Sequence, residues 1–164
     1  MKQFFTYIIL LSSALCFSQK TLEKLLNKHN SDSIPYIAVN VLDTIQNQVV
    51  LLDAREVYEY KTSHLKNAIH IGYDFFNLEE FKEKVPKKNS KVVVYCSLGI
   101  RSEDIAFKLK KAGYNNVQNL YGGIFEWKNN NLPVYNSNEK QTDSVHVFSK
   151  AWGKLLKKGI KVYE

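Results

Sequence analysis

Cys96 and Arg101 bracket a short loop, Cys96-Ser97-Leu98-Gly99-Ile100-Arg101, in which a thiol and a guanidinium stand five positions apart. A cysteine acts as a nucleophile through its thiolate, and a free thiol with a pKa of about 8.5 is only a few per cent ionised at neutral pH. Gly99 permits backbone conformations that a side chain forbids, so the loop can curl and aim successive N–H groups inward. Those donors, the Arg101 cation and the N-terminus of a following helix all favour negative charge on sulfur. A helix end contributes up to about 2 kcal/mol, enough to turn a minor thiolate fraction into the major one. The chemistry expected of Cys96 is therefore that of a reactive nucleophile, not that of a buried small hydrophobe.

The elements around the loop suit that task. Lys91-Val92-Val93-Val94-Tyr95 runs without a break into Cys96, the pattern of a strand buried on both faces, and Val49 to Leu52 is a second such run, ending in Asp53. After the loop the spacing predicts a helix with Ser102 as its N-cap and Glu103 and Asp104 in its first turn, facing solvent. Ile105, Ala106, Leu109 and Ala112 form its buried stripe, and Gly113 its stop. Further strands are expected at 37–39, 68–71 and 117–120. Helices are expected at 21–29, at 40–45 with Asn40 as cap, at 56–61, at 78–85 and from Gly122-Gly123 to Asn130. Strands alternating with helices imply an α/β fold, a central parallel sheet flanked by helices on both faces, with ligands bound beyond the carboxyl ends of the strands.

Cys96 to Ser102 resembles the active-site loop of single-domain rhodaneses, C-x-x-G-x-R-S. Leu51-Leu52-Asp53-Ala54-Arg55-Glu56 is similar to the family's first landmark. Ser63-His64-Leu65-Lys66-Asn67-Ala68-Ile69 is similar to its G-H-I-P-G-A motif, with Ser63 for Gly and Lys66-Asn67 for Pro-Gly. Ala112-Gly113-Tyr114 and Leu120-Tyr121-Gly122-Gly123-Ile124, followed by Trp127, complete the order over residues 35–135. The resemblance implies a sulfurtransferase in which Cys96 takes up a sulfane sulfur as a persulfide. Ser97, Leu98, Gly99, Ile100 and Ser102 would line the substrate cradle, and Arg101 would hold an anionic donor or the persulfide charge. Asp53 and Arg55 would be polar supports, and His64 a structural residue. No cofactor is implied, and His64 with His70 finds no third metal ligand at a recognisable spacing. Thiosulfate is the favoured donor, with cyanide or a thiol as acceptor. The alternative is a persulfide carrier serving a protein acceptor.

Spacing argues against the neighbouring chemistries. Cysteine phosphatases place five residues between Cys and Arg to wrap a tetrahedral phosphate, whereas four stand here. A thiol–disulfide oxidoreductase needs a second, resolving cysteine, and the other one, Cys16, lies in an N-terminal segment of different character. There Lys2, the apolar run from Phe4 to Leu15, and Cys16-Phe17-Ser18 fit a signal peptide cut after Ser18, too short for a comfortable membrane span. The expected location is periplasmic or secreted. Lipidation of Cys16 is a minor alternative, since Leu15 stands where Gly or Ala is usual. The net charge of +7 is spread along the chain without interleaved aromatics, which speaks against nucleic acid as a partner. Residues 1–18 are thus read as signal, 19–34 as a helical extension, 35–135 as the catalytic domain and 136–164 as a C-terminal extension. In that last part a polar connector over 136–143 precedes a basic helix carrying Trp152, Leu155, Leu156 and Ile160 on one face, expected to dock on the domain. Oligomeric state is not legible.

Overall fold

A computed structural model describes residues 21–31 and 33–163; the segment read as a signal peptide, with Cys16, lies outside them. Helix α1 covers residues 21–29. It is followed by β1 (Tyr36–Ile37), α2 (Val39–Ile45), a 3-10 turn (Gln46–Gln48), β2 (Val50–Asp53), α3 (Val57–Thr62), β3 (Ile69–His70) and α4 (Leu78–Lys84). Then come β4 (Val92–Tyr95), α5 (Arg101–Lys111), β5 (Val117–Leu120), α6 (Gly123–Asn129), β6 (Val134–Tyr135), β7 (Gln141–Thr142), β8 (Ser144–His146), α7 (Lys150–Gly153) and β9 (Ile160–Val162).

The first five strands form one parallel sheet in the order β1-β5-β4-β2-β3, with β4 in the centre. Side chains alternate across it with the two-residue period of a strand. Val93, Tyr95 and Leu51 enter one apolar cluster with Leu22 and Leu26 of α1, Leu42 of α2 and Ile124, Phe125 and Trp127 of α6. Val92, Val94 and Leu52 enter the other with Phe81 of α4 and Ile105, Ala106 and Leu109 of α5. Both faces are covered, which is why the two central runs are continuously apolar. This is the α/β architecture expected, and it sets Cys96 at the carboxyl end of the middle strand.

Three local expectations are corrected. The helix after the loop starts at Arg101, so Ser102 lies inside its first turn and caps nothing; Ile100 holds the cap position without a side-chain bond. Likewise α2 starts at Val39 with Ala38, not Asn40, in the cap position. The C-terminal extension is no helix on a tether. β7 pairs antiparallel with β6, inside the stretch read as a connector, while β8 and β9 pair in parallel across the single turn of α7. Val145, Val147 and Leu156 dock in the first core cluster, but Ile160 is an exposed strand residue. Gly159, at φ 99°, ends any helical course before it, and the Ile160 N–H donates to the Asp143 carbonyl to start the strand.

Candidate active site

The loop from Cys96 to Gly99 is wholly buried, with three of its carbonyls held by neighbouring elements and the Gly99 N–H turned to sulfur. The Cys96 carbonyl accepts from the Ile124 N–H (2.9 Å) and the Ser97 carbonyl from the Phe125 N–H (3.2 Å), both at the start of α6. The Gly99 carbonyl accepts two amides, Asn119 Nδ2 and Asn30 Nδ2, each at 2.8 Å. Gly99 itself, at φ 109°, then directs its N–H to Cys96 Sγ at 3.1 Å. The Ser102 hydroxyl lies between Asn119 Oδ1 (2.7 Å) and Sγ (3.5 Å). Leu98 buries its side chain in the core and Ile100 packs against it.

Burial pushes the Cys96 thiol up. The Arg101 charge, the Ser102 hydroxyl and the backbone N–H groups of Ser102 and Gly99 outweigh it, and the thiol ionises below its ordinary range. Arg101 does not reach outward for a ligand. Its Nη1 and Nη2 make a two-pronged pair with Glu59 Oε2 (2.7 Å) and Oε1 (2.8 Å), and Nη2 also donates to Ser97 Oγ at 3.1 Å. Glu59 sits on α3 with no exposed surface and accepts from Ser97 Oγ and the Glu56 N–H as well. Burial pushes this carboxyl up, but the Arg101 bonds and charge and the Arg55 charge reverse the sign and hold it below the carboxylate range. Arg101 thus works on sulfur as a fixed positive charge.

Asp53 and Arg55 form a second, fully buried pair at the end of β2. Arg55 Nε and Nη2 donate to Asp53 at 3.0 and 2.6 Å, and Nη2 donates to the Ser63 carbonyl at 2.6 Å. Neither bonds to Cys96. His64 stacks on Tyr60 with ring centres 4.1 Å apart, its nitrogens near the Tyr60 carbonyl and Glu139. Glu103, expected in solvent, is 4% exposed and accepts from Asn119 Nδ2 (3.1 Å). Among the described residues no three His, Cys, Asp or Glu side chains converge as a metal site would require, and no helix is long and apolar enough to cross a membrane.

Five contributors escape sequence reasoning. Glu59 and Asn119 brace the loop from other elements, and Asn30 does so from the N-terminal extension. From the C-terminal extension, His146 Nδ1 lies 3.9 Å from Glu59 Oε1, and the Phe148 ring lies 5.6 Å from Arg101 Cζ. One signal was present for Glu59: Glu56-x-x-Glu59 ahead of a helix is a reciprocal capping pattern, and it forms.

Comparison with known proteins agrees with this geometry. Residues 38–130 match the Rhodanese-like domain. The chain is 35% identical over 97 residues to the tRNA uridine(34) hydroxylases of Enterobacter sp. (strain 638) and Escherichia coli O6:K15:H31 (strain 536 / UPEC), a span of 52% of this chain and 26% of each of theirs. It therefore covers about a quarter of the length of the curated relatives it matches. A rhodanese-related protein from Thermoplasma volcanium superposes with a TM-score of 0.54 at 29% identity, over 61% of this chain and 96% of that one. A thiosulfate sulfurtransferase from Pseudomonas aeruginosa shares the fold, with a TM-score of 0.61 at 21% identity, over 85% of this chain and 26% of that one. With the loop, its sheet and its sequence landmarks in agreement, the chain belongs to the rhodanese-like domain family.

Proposed function

We propose that this protein is a sulfurtransferase that moves a sulfane sulfur from a small donor, thiosulfate in the first instance, to a thiophilic acceptor through a persulfide on Cys96. The observation that carries it is the Cys96 sulfur held by the Gly99 N–H and the Ser102 hydroxyl beside a guanidinium fixed by Glu59. The Cys96 thiolate attacks the outer sulfur of thiosulfate, the donor S–S bond breaks, and sulfite leaves with the electron pair. Cyanide or a thiolate then takes that sulfur from the persulfide and returns the electron pair to Sγ. Both states are anions, the persulfide's charge one bond beyond Sγ, and the Arg101 charge favours both. The four-residue spacing between Cys96 and Arg101 suits a sulfur atom better than a tetrahedral phosphate. The hydroxylation named for the longer relatives is not carried over.

The complete burial of Cys96 favours a second reading, a persulfide carrier that discharges to a protein acceptor. The segment 1–18 supports export to the periplasm or beyond, where the donor would be met. The test is conversion of thiosulfate and cyanide to thiocyanate by the purified protein, with mass spectrometry of Cys96. The Cys96→Ser variant is expected to lose both turnover and sulfur loading. Loading without turnover supports the carrier, and failure of several donors to load Cys96 overturns both readings.

A further inference from the structure

The C-terminal extension lies outside the matched family span, yet it builds a groove beside the catalytic loop. The groove, about 470 Å³, runs between α3 and the β8–β9 pair and is lined by Tyr58, Thr62, His146, Phe148 and Tyr163. Three of these rings remain half exposed: Tyr58 at 49%, Phe148 at 53% and Tyr163 at 42%. Phe148 holds a φ of 60°, a backbone state that bulky side chains rarely adopt. Such strain persists only where the surroundings enforce it. Here the Phe148 N–H donates to His146 Nδ1 (3.2 Å), and His146 Nε2, which must carry its proton, donates to the Tyr163 carbonyl (3.1 Å). The Val147 N–H donates to the Val162 carbonyl (2.9 Å), and the Phe148 ring tilts on Trp152. The outcome is an aromatic wall whose Phe148 ring lies 5.6 Å from Arg101 Cζ.

An apolar, ring-lined groove whose Phe148 wall stands beside the Arg101 charge fits an anion that has an apolar body. Cyanide has no body to place there. We propose that the groove is the acceptor subsite and receives the aromatic or extended apolar part of an organic thiol, with Phe148 as its specificity-determining residue. This rests on the sulfurtransferase reading. The acceptor ionises and gives its proton to solvent, and its thiolate is drawn towards Arg101. It attacks the outer sulfur of the Cys96 persulfide: a new S–S bond forms, the Cys96 S–S bond breaks and its electron pair returns to Sγ. An organic persulfide leaves, so that two anions enter and two anions result.

The experiment loads the purified protein with thiosulfate, confirms by mass spectrometry that Cys96 has gained one sulfur, and compares phenylmethanethiol with 2-mercaptoethanol as acceptors. The expected result is a kcat/KM about tenfold or more higher for phenylmethanethiol, the range an apolar pocket supplies. Phe148→Ala should bring that ratio close to one. Thr62→Trp, which fills the groove from the helix side, should raise KM for phenylmethanethiol more than for 2-mercaptoethanol. It also serves if Phe148→Ala fails to fold. A ratio near one in the native protein, or one that neither variant changes, overturns the subsite while leaving the persulfide chemistry intact. Failure to load Cys96 overturns the sulfurtransferase reading and the subsite with it.

Discussion

Glu59 carries a negative charge with no exposed surface, and both its oxygens are taken by one arginine. Removing either partner leaves the other charge buried and unpaired, at a cost of about 3–5 kcal/mol. Arg101→Gln should therefore lower the denaturation midpoint. It should also raise the pH midpoint of Cys96 alkylation by iodoacetamide, because the Arg101 charge is the largest influence opposing burial of the thiol. Arg101→Lys keeps the charge without the two-pronged pairing and should fall between. The pH dependence of stability follows from the Glu59 carboxyl being held down. A depressed folded-state value stabilises fully above the ordinary carboxylate range and is lost as pH falls through it. Melts between about pH 6 and about pH 3 should show a falling Tm, and a smaller fall in Glu59→Gln. Cys96 and Arg101 are legible in the sequence because their relation is local. Glu59 is not, because its partner lies far along the chain and a glutamate on a short helix reads as solvated.

At the scale of elements, the N-terminus of α6 is the brace of the loop. A Cβ on Gly123 would collide with the Cys96 carbonyl and fall 2.7 Å from the Ser97 carbonyl carbon, at a φ of 55°. The expected effect of Gly123→Ala is either failure to fold or a displaced loop, seen as slower Cys96 alkylation at fixed pH. The glycine pair could be found in the sequence as the start of a helix. Its purpose could not, since close approach of two backbones leaves no periodic mark. The same division holds elsewhere. The buried stripe of α5 is readable from its spacing, whereas its first residue is not, because the Ser102 hydroxyl bonds Asn119 and not the helix end. The C-terminal segment failed for a third reason. Trp152, Leu155 and Leu156 keep helical spacing, but pairing of Ser144–His146 with Ile160–Val162 overrides it.

For the whole molecule, the extensions belong to the core of the domain they flank. Leu22 and Leu26 from one end, and Val145, Val147 and Leu156 from the other, meet in the cluster under Tyr95. Each buried side chain of this kind contributes about 1.5–3 kcal/mol, against a net stability of about 5–15 kcal/mol for a domain. Deleting residues 144–163 should thus abolish the melting transition or lower it by more than about 10 °C, as read by circular dichroism. The parallel α/β architecture was readable from two continuous apolar runs set among helical stretches. The merging of its flanks into one core was not, because contacts between the chain's ends have no local pattern. One consequence reaches beyond stability. The stretch shared with the longer relatives spans about a quarter of their length. Here Asn30 holds the Gly99 carbonyl and Leu26 packs beside Gly99, so the unit has been welded to its own flanks. Residues 38–130 moved into another protein would arrive without those two supports and with a loosened sulfur cradle, so the neighbouring segments help to shape the site.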